Sequence, residues 1–260
     1  MLVLLSVPAR EGAWLGDYSR LKGSRREILL MPGLCRVLAV AFMLVVCARS
    51  HAGPKLETFQ SAGRSVHYEI FDDAATDVPL LILLHGVSEP GAEFYRSQAS
   101  FFAQNGYEVL LLHYFDAARS HDATDQNYHA WAQALEDLVR ECGVFPSLSG
   151  RPIFVVGYSL GASVALAAGS QALPVRAIAE WYGSLPDDFF YHFRSMPPLL
   201  ILHGALDDNV PLSNAQQLVR LCERERLVCA DHFYRDQGHG FGGTALGDAE
   251  KRTLDFFKER

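Results

Sequence analysis

Unbroken apolar runs constrain this chain more than any other feature. "PLLILLHG" (Pro79–Gly86), "YEVLLLHYF" (Tyr107–Phe115), "PIFVVG" (Pro152–Gly157) and "LLILHG" (Leu199–Gly204) hold almost no polar residue before their ends. A strand with one wet face alternates polar and apolar residues, so a continuous run marks a strand buried on both faces. The resemblance of "LLILLHG" to "LLILHG" reads as two central strands in similar environments, not as an internal repeat. Between the runs lie segments of helical period. "AEFYRSQASFFAQNG" stops at Gly106, and "NYHAWAQALEDLVREC" places Trp131, Leu135, Leu138 and Val139 on one stripe. "LGASVALAAGSQA", "LSNAQQLVRLCERE" and a last helix ending "LDFFKER" complete the set, with further strands in "VRAIAEWYG" and "LVCADHFY". "LETFQ" and "SVHYEIF" around Ala62-Gly63 read as an N-terminal hairpin. Strands alternating with helices predict an α/β fold with a mostly parallel central sheet and helices on both faces. The widest gap, Ser184–Pro198, is read as irregular and is too short for a large cap domain. The site is therefore expected among open loops at the carboxyl ends of the strands.

The 260 residues, 49% hydrophobic and 20% charged, suffice for one large domain with a substantial core. Its charge argues against nucleic acid. The first 52 residues carry seven Lys/Arg and three Asp/Glu, which leaves 16 basic against 27 acidic residues, a formal −11, in the remainder. An acidic domain without a basic stripe suits neither a phosphate backbone nor an anionic membrane surface. A small-molecule substrate is the partner expected.

Residues 1–52 read as an N-terminal extension and signal peptide, and 53–260 as the catalytic domain. "LCRVLAVAFMLVVC" (Leu34–Cys47) is apolar apart from Arg36, and Ser50-His51-Ala52 sets small residues at the −3 and −1 positions of a cleavage site before Gly53. A start at Met31 gives the signal a normal length. The apolar core is shorter than the roughly 20 residues of a membrane span. Export without stable membrane contact is the expectation, an uncleaved anchor the alternative; Val46 is too large for a lipoprotein signal at Cys47. In an oxidising compartment, Cys222 and Cys229, seven apart across a helix-to-strand turn, form either a short-loop disulfide or two free thiols, with Cys142 unpaired in both cases. No Cys/His spacing resembles a zinc site, and no cofactor is implied.

The chemistry is carried by "RPIFVVGYSLGASVALAAG" (Arg151–Gly169). Ser159 stands between Gly157 and Gly161, straight after a buried strand and before a small-residue helix, which is the nucleophile-elbow arrangement. The sharp turn requires neighbours without bulk, and Ala162 lets the helix pack closely. The elbow lifts the Ser159 hydroxyl from the sheet and places the Leu160 N–H, at the helix N-terminus, as one oxyanion donor. The second is expected from "LLHGVSEPG", at the Val87 N–H, with Gly86 permitting close approach. A serine needs a base, and the base an orienting acid, in the chain order Ser, acid, His. In "LLILHGALDDNVP", Asp207 stands three residues past Gly204, where an acid can turn back into the site, whereas Asp208 suits helix capping. Asp187 and Asp188 come too early and face solvent. In "YRDQGHGFGG", His239 lies between two glycines with no evident packing duty. His85 and His203 end strands and suit loop hydrogen bonds. Tyr114, Phe115, Trp181, Tyr182, Phe189 and Phe190 suit a pocket lining and core packing equally, and Arg119 and His121 suit either contact with an anionic substrate or, the reading preferred, the solvated surface.

"GYSLGA", "HGALDDNVP" and "GHGF" at these spacings, with "LLILLHG" and "YFDAA", resemble the α/β-hydrolase superfamily, and most of all its dienelactone hydrolase family, over residues 65–258. The resemblance implies an ester, lactone or thioester hydrolase. One departure matters: the family proper uses cysteine at the elbow, where Ser159 stands here, so the cysteine-based lactone specificity is not carried over. The expectation is a serine hydrolase of small esters working through an acyl-enzyme with Ser159, Asp207 and His239. The alternatives are a peptidase or acyltransferase on this fold, or a non-catalytic exported binding protein. A peptidase of this type usually carries an entry-restricting domain for which the length leaves no room.

Overall fold

The computed structural model describes residues 53–71, 78–88, 92–145 and 148–260. The Met31 start, Leu34–Cys47 and the cleavage site at Ser50-His51-Ala52 lie outside the described residues. Among the described residues, eight strands form one sheet: β1 (Lys55–Ser61), β2 (Arg64–Phe71), β3 (Leu80–Leu84), β4 (Glu108–Leu112), β5 (Ile153–Tyr158), β6 (Ala177–Trp181), β7 (Leu199–Gly204) and β8 (Cys229–Tyr234). Their order is β1-β2-β4-β3-β5-β6-β7-β8. β1 pairs antiparallel with β2, and β2 with β4; every other pairing is parallel. The apolar runs β3 and β4 are buried at every residue, because helices cover both sheet faces. The α/β fold expected from the strand runs is the one observed, and no cap domain stands among the described residues.

Among the described residues, five α-helices supply the cover: α1 (Glu93–Gln104), α2 (Asp125–Val144), α3 (Leu160–Ser170), α4 (Leu212–Glu225) and α5 (Gly243–Lys258). α1 buries Tyr95, Gln98, Ala99, Phe102 and Ala103, the 3.6-residue stripe of a half-buried helix. α2 starts where Thr124 accepts the Asn127 N–H at 3.3 Å. α3 is buried at all eleven residues, which its run of Ala, Gly and Val permits. Leu81, Leu83, Val109 and Val156 pack with α1 and α5 on one face. Leu80, Ile82, Val155 and Ile201 pack with α2, α3 and α4 on the other.

Two readings take firmer form. Ser184–Pro198 is not irregular: Asp187–Ser195 forms a 3-10 helix. Phe189 and Phe193 anchor it in the core, while Asp187 and Asp188 face solvent. The Pro- and Asp-rich composition hid two buried aromatics four residues apart. Cys222 and Cys229 are disulfide-bonded, and Cys142 is a free buried thiol. The chain turns between α4 and β8 through Arg226 in the left-handed region, φ 56°.

Register places the loops. Leu84 of β3 pairs with Gly157 of β5, Tyr158 with Trp181 of β6, and Trp181 with Leu202 of β7. The segments after these strands therefore start at nearly one level. β3 and β5 are also where chain order reverses, so their connections leave toward opposite faces and open a crevice.

Candidate active site

Ser159 follows β5 and caps α3 with φ 54° and ψ −117°, a strained conformation for any residue with a Cβ. The elbow has no room for neighbouring side chains. A Cβ on Gly157 would stand 2.5 Å from the Gly161 carbonyl oxygen, and one on Gly161 would stand 2.3 Å from that of His85. The turn is pinned by the Ser159 N–H, which donates to the Trp181 carbonyl at 2.9 Å. Leu160 is the first residue of α3, so its N–H has no acceptor within the helix and stands one residue from the Ser159 hydroxyl.

The His239 Nε2 lies 2.7 Å from the Ser159 Oγ, and its Nδ1 lies 2.8 Å from the Asp207 Oδ2. With Nδ1–H donating to the carboxylate, Nε2 is left to accept the serine proton. The Asp207 side chain is fully buried and that of His239 is 22% exposed. A buried carboxylate must be hydrogen-bonded. Here Oδ1 accepts the N–H groups of Asn209 at 2.9 Å and Val210 at 2.8 Å, while Oδ2 takes His239. Asp208 is exposed and does not cap α4, whose N-cap is Pro211 without a side-chain bond. The capping expected of Asp208 is therefore absent, and the turn before α4 is held by Asp207 instead.

The loops carrying Asp207 and His239 are pressed together. A Cβ on Gly204 would meet the Gly238 carbonyl oxygen at 2.3 Å. The Leu206 N–H donates to the Gln237 carbonyl at 2.9 Å, and the Gly242 N–H to the Gln237 side-chain oxygen at 3.0 Å. His239 has a packing partner that its glycine context concealed: the Tyr182 ring stands edge-on to it, centroids 5.1 Å apart.

On the β3 side, Gly86 passes close to the elbow. A Cβ there would stand 3.4 Å from the Ser159 Cβ and 2.6 Å from the Tyr95 hydroxyl oxygen. The His85 Nδ1–H donates to the Gly86 carbonyl at 2.7 Å, and the Tyr114 hydroxyl donates to the His85 carbonyl at 2.8 Å. His85 stacks on Tyr114 with centroids 4.4 Å apart; burial pushes its imidazole down to about 4, so it stays neutral. Val87 follows, and its side chain is exposed. In a trans peptide the N–H points opposite to the preceding carbonyl, so the hold on the Gly86 carbonyl also orients the Val87 N–H. His203 supports the acid loop: its Nε2–H donates to the Val210 carbonyl at 2.8 Å, and burial pushes its imidazole below the ordinary range.

The structure thus brings Ser159, His239 and Asp207 into one hydrogen-bonded line, with Leu160 and Val87 on its borders. Of the aromatics, Tyr114, Phe115, Trp181, Tyr182 and Phe189 are core residues, and the Tyr182 ring also stands against a site side chain, that of His239. His121 stacks on Phe115 at 4.1 Å, and Arg119 is exposed. Sequence reasoning passed over Glu180, whose signal was an acid inside the apolar strand "AIAEW".

Residues 82–259 match the dienelactone hydrolase family. A comparison with curated proteins finds no match. Among solved structures the chain resembles a dienelactone hydrolase-like promiscuous phosphotriesterase from metagenomic libraries, with TM-score 0.66 and 15% identity over 80% of this chain and 99% of that one. It also resembles the dienelactone hydrolase from Anabaena variabilis, with TM-score 0.64 and 14% identity over 80% and 97% of the two chains. Esterase 2 from Thermogutta terrifontis, phosphoramylated by tabun, gives TM-score 0.64 and 14% identity over 80% and 94%. At these identities the structures speak to the fold.

Proposed function

That the chain belongs to the dienelactone hydrolase family is the premise from which we propose a serine hydrolase that cleaves carboxylic esters, lactones or thioesters of small substrates. The observation that carries this reading is the line Ser159–His239–Asp207, at 2.7 and 2.8 Å. Ser159 Oγ attacks the substrate carbonyl carbon as His239 Nε2 takes its proton. Asp207 holds the Nδ1–H tautomer and balances the imidazolium that forms. The oxygen charge of the tetrahedral intermediate is met by the N–H groups of Leu160 and Val87; such donors typically contribute about 3 kcal/mol each. His239 returns the proton to the departing alkoxide or thiolate and leaves an acyl-enzyme. Water, deprotonated by the same nitrogen, releases the acid and restores Ser159. No cofactor enters any step.

The test is a panel of nitrophenyl esters of rising acyl length, with fluorophosphonate labelling. The phosphoramylated esterase among the fold relatives makes an organophosphorus probe fitting. The wild type should hydrolyse the shorter esters and take one label, and Ser159→Ala should do neither. Labelling that survives in Ser159→Ala rules the assignment out. We also propose that the protein is exported. The Cys222–Cys229 disulfide supports this, since such bonds persist in oxidising compartments. N-terminal sequencing of the secreted or periplasmic form should begin at Gly53; a chain retaining Leu34–Cys47 would contradict cleavage.

A further inference from the structure

The segment that ends β6 and leaves it, Trp181–Ser184, touches both ends of the serine–histidine pair. The Trp181 carbonyl accepts the Ser159 N–H at 2.9 Å. The next residue, Tyr182, lies at φ 47°, where a bulky aromatic is seldom found, and its ring stands 5.1 Å from the His239 ring, 68° out of plane. Phe241 backs the same ring edge-on at 5.0 Å. A residue holds such a backbone conformation only when its surroundings over-determine it.

Here every backbone N–H beyond the strand is fastened. Tyr182 N–H donates to the Leu202 carbonyl at 2.8 Å. Gly183 N–H donates to the Glu180 Oε2 at 2.9 Å, and Ser184 N–H to the Ser163 Oγ at 3.1 Å. A Cβ on Gly183 would meet the Ala162 Cβ at 2.5 Å, so the turn lies flat on α3. Of these acceptors only Glu180 is a charged residue type. It is wholly buried, and its second oxygen, Oε1, has no partner. A carboxyl at such a position is an expensive way to accept one N–H, which points away from a role in stability alone.

Resting on the reading of Ser159 as nucleophile and His239 as base, we infer that Glu180 and Tyr182 are positioning residues for His239. Glu180 fastens the Gly183 N–H, the fastened turn holds Tyr182 in its left-handed conformation, and the Tyr182 ring walls the imidazole so that Nε2 faces Ser159. Because the Trp181 carbonyl holds the Ser159 N–H, one strap sets both members of the pair. Burial pushes the Glu180 carboxyl up to about 8, so it accepts the N–H as a neutral acid near pH 7. Glutamine offers the same neutral oxygen, and alanine offers none.

The experiment compares Glu180→Gln, Glu180→Ala and Tyr182→Asn with the wild type, alongside Ser159→Ala. Asparagine tolerates the left-handed region, so Tyr182→Asn keeps the turn and deletes the ring. Each is measured for kcat, KM and fluorophosphonate labelling rate, with melting curves to confirm folding at the assay temperature. Misplacement near 1 Å costs about 10²-fold, so Glu180→Ala and Tyr182→Asn should lose roughly 10- to 100-fold in kcat and labelling rate with KM little changed. Glu180→Gln should remain near wild type. A folded Glu180→Ala with wild-type kcat overturns the inference, as does a Glu180→Gln that falls as far as alanine. Should Glu180→Ala fail to fold, Tyr182→Asn decides: wild-type turnover there overturns it. If Ser159→Ala loses its label while these variants keep full turnover, only this inference fails; if Ser159→Ala keeps its label, the proposed function fails first.

Discussion

Ser159 holds its hydroxyl in place through a backbone that resists it. At φ 54° and ψ −117° a residue with a Cβ carries about 1–3 kcal/mol of strain, offset by the packing of β5 and α3. Glycine carries almost none of that strain, although its unfolded chain is freer. Ser159→Gly should therefore be more stable than Ser159→Ala by about 1 kcal/mol, with both variants inactive. Urea midpoints of the two proteins measure this, and a less stable glycine variant would show that the elbow is relaxed. The same paired variants separate strain from the lost hydroxyl, because neither keeps Oγ. Asp207 makes a different point about single residues. Asp207 and Asp208 are adjacent and chemically alike, yet one is buried with three hydrogen bonds and the other is exposed.

Secondary-structure elements deliver these residues by their ends. α3 has no wet face, so it cannot shift along the sheet without breaking contacts on all sides. Its N-terminus, with Leu160, is fixed against the His85 carbonyl by the absence of a Cβ at Gly161. α4 is joined to β8 by the Cys222–Cys229 disulfide, at the end of the sheet away from the site loops. A loop this short gives about 2–3 kcal/mol of stabilisation in the chain-entropy account. Replacing both cysteines by serine should lower the denaturant midpoint by that order and leave kcat within about twofold, since β7 and β8 stay paired over six residues each. A loss of turnover without loss of stability would place the disulfide in the catalytic apparatus instead.

Unfolding of the whole molecule reports its buried titrating groups. The folded-state value of His85 is lowered to about 4 from an ordinary 6.5. The unfolded chain therefore binds a proton there before the folded one does, and stability falls as pH drops from 6.5 toward 4. Glu180 acts in the opposite sense. Its folded-state value is raised to about 8 from an ordinary 4.5, through burial against the opposing Gly183 N–H. The folded protein keeps a proton that the unfolded chain releases, so stability falls as pH rises from 4.5 to 8. In Glu180→Gln that second decline should vanish. Urea midpoints at pH 5, 7 and 9 should show the variant gaining on the wild type up to pH 8 and holding its lead above; parallel curves would mean that Glu180 ionises normally.

The amino-acid sequence by itself determined the α/β class, because continuous apolar runs can be satisfied only by strands covered on both faces. It also singled out Ser159 and His239, because glycines around a polar residue between a strand and a helix leave a local trace. It could not read Ser184–Pro198, where the buried spacing of Phe189 and Phe193 is masked by Pro and Asp. Position after Gly204 favoured Asp207 over Asp208 from the sequence, but only the tertiary structure supplied its bonds to the Asn209 and Val210 N–H groups and to His239, beside loops so close that Gly204 meets Gly238. The tertiary structure alone set the Tyr182 ring against the His239 imidazole and the Glu180 carboxyl against the Gly183 N–H, since their place depends on the register of β6 between β5 and β7. Local patterns record what a residue needs from its own turn of chain. They do not record contacts between segments far apart in sequence, whose energy exists only once the sheet has closed.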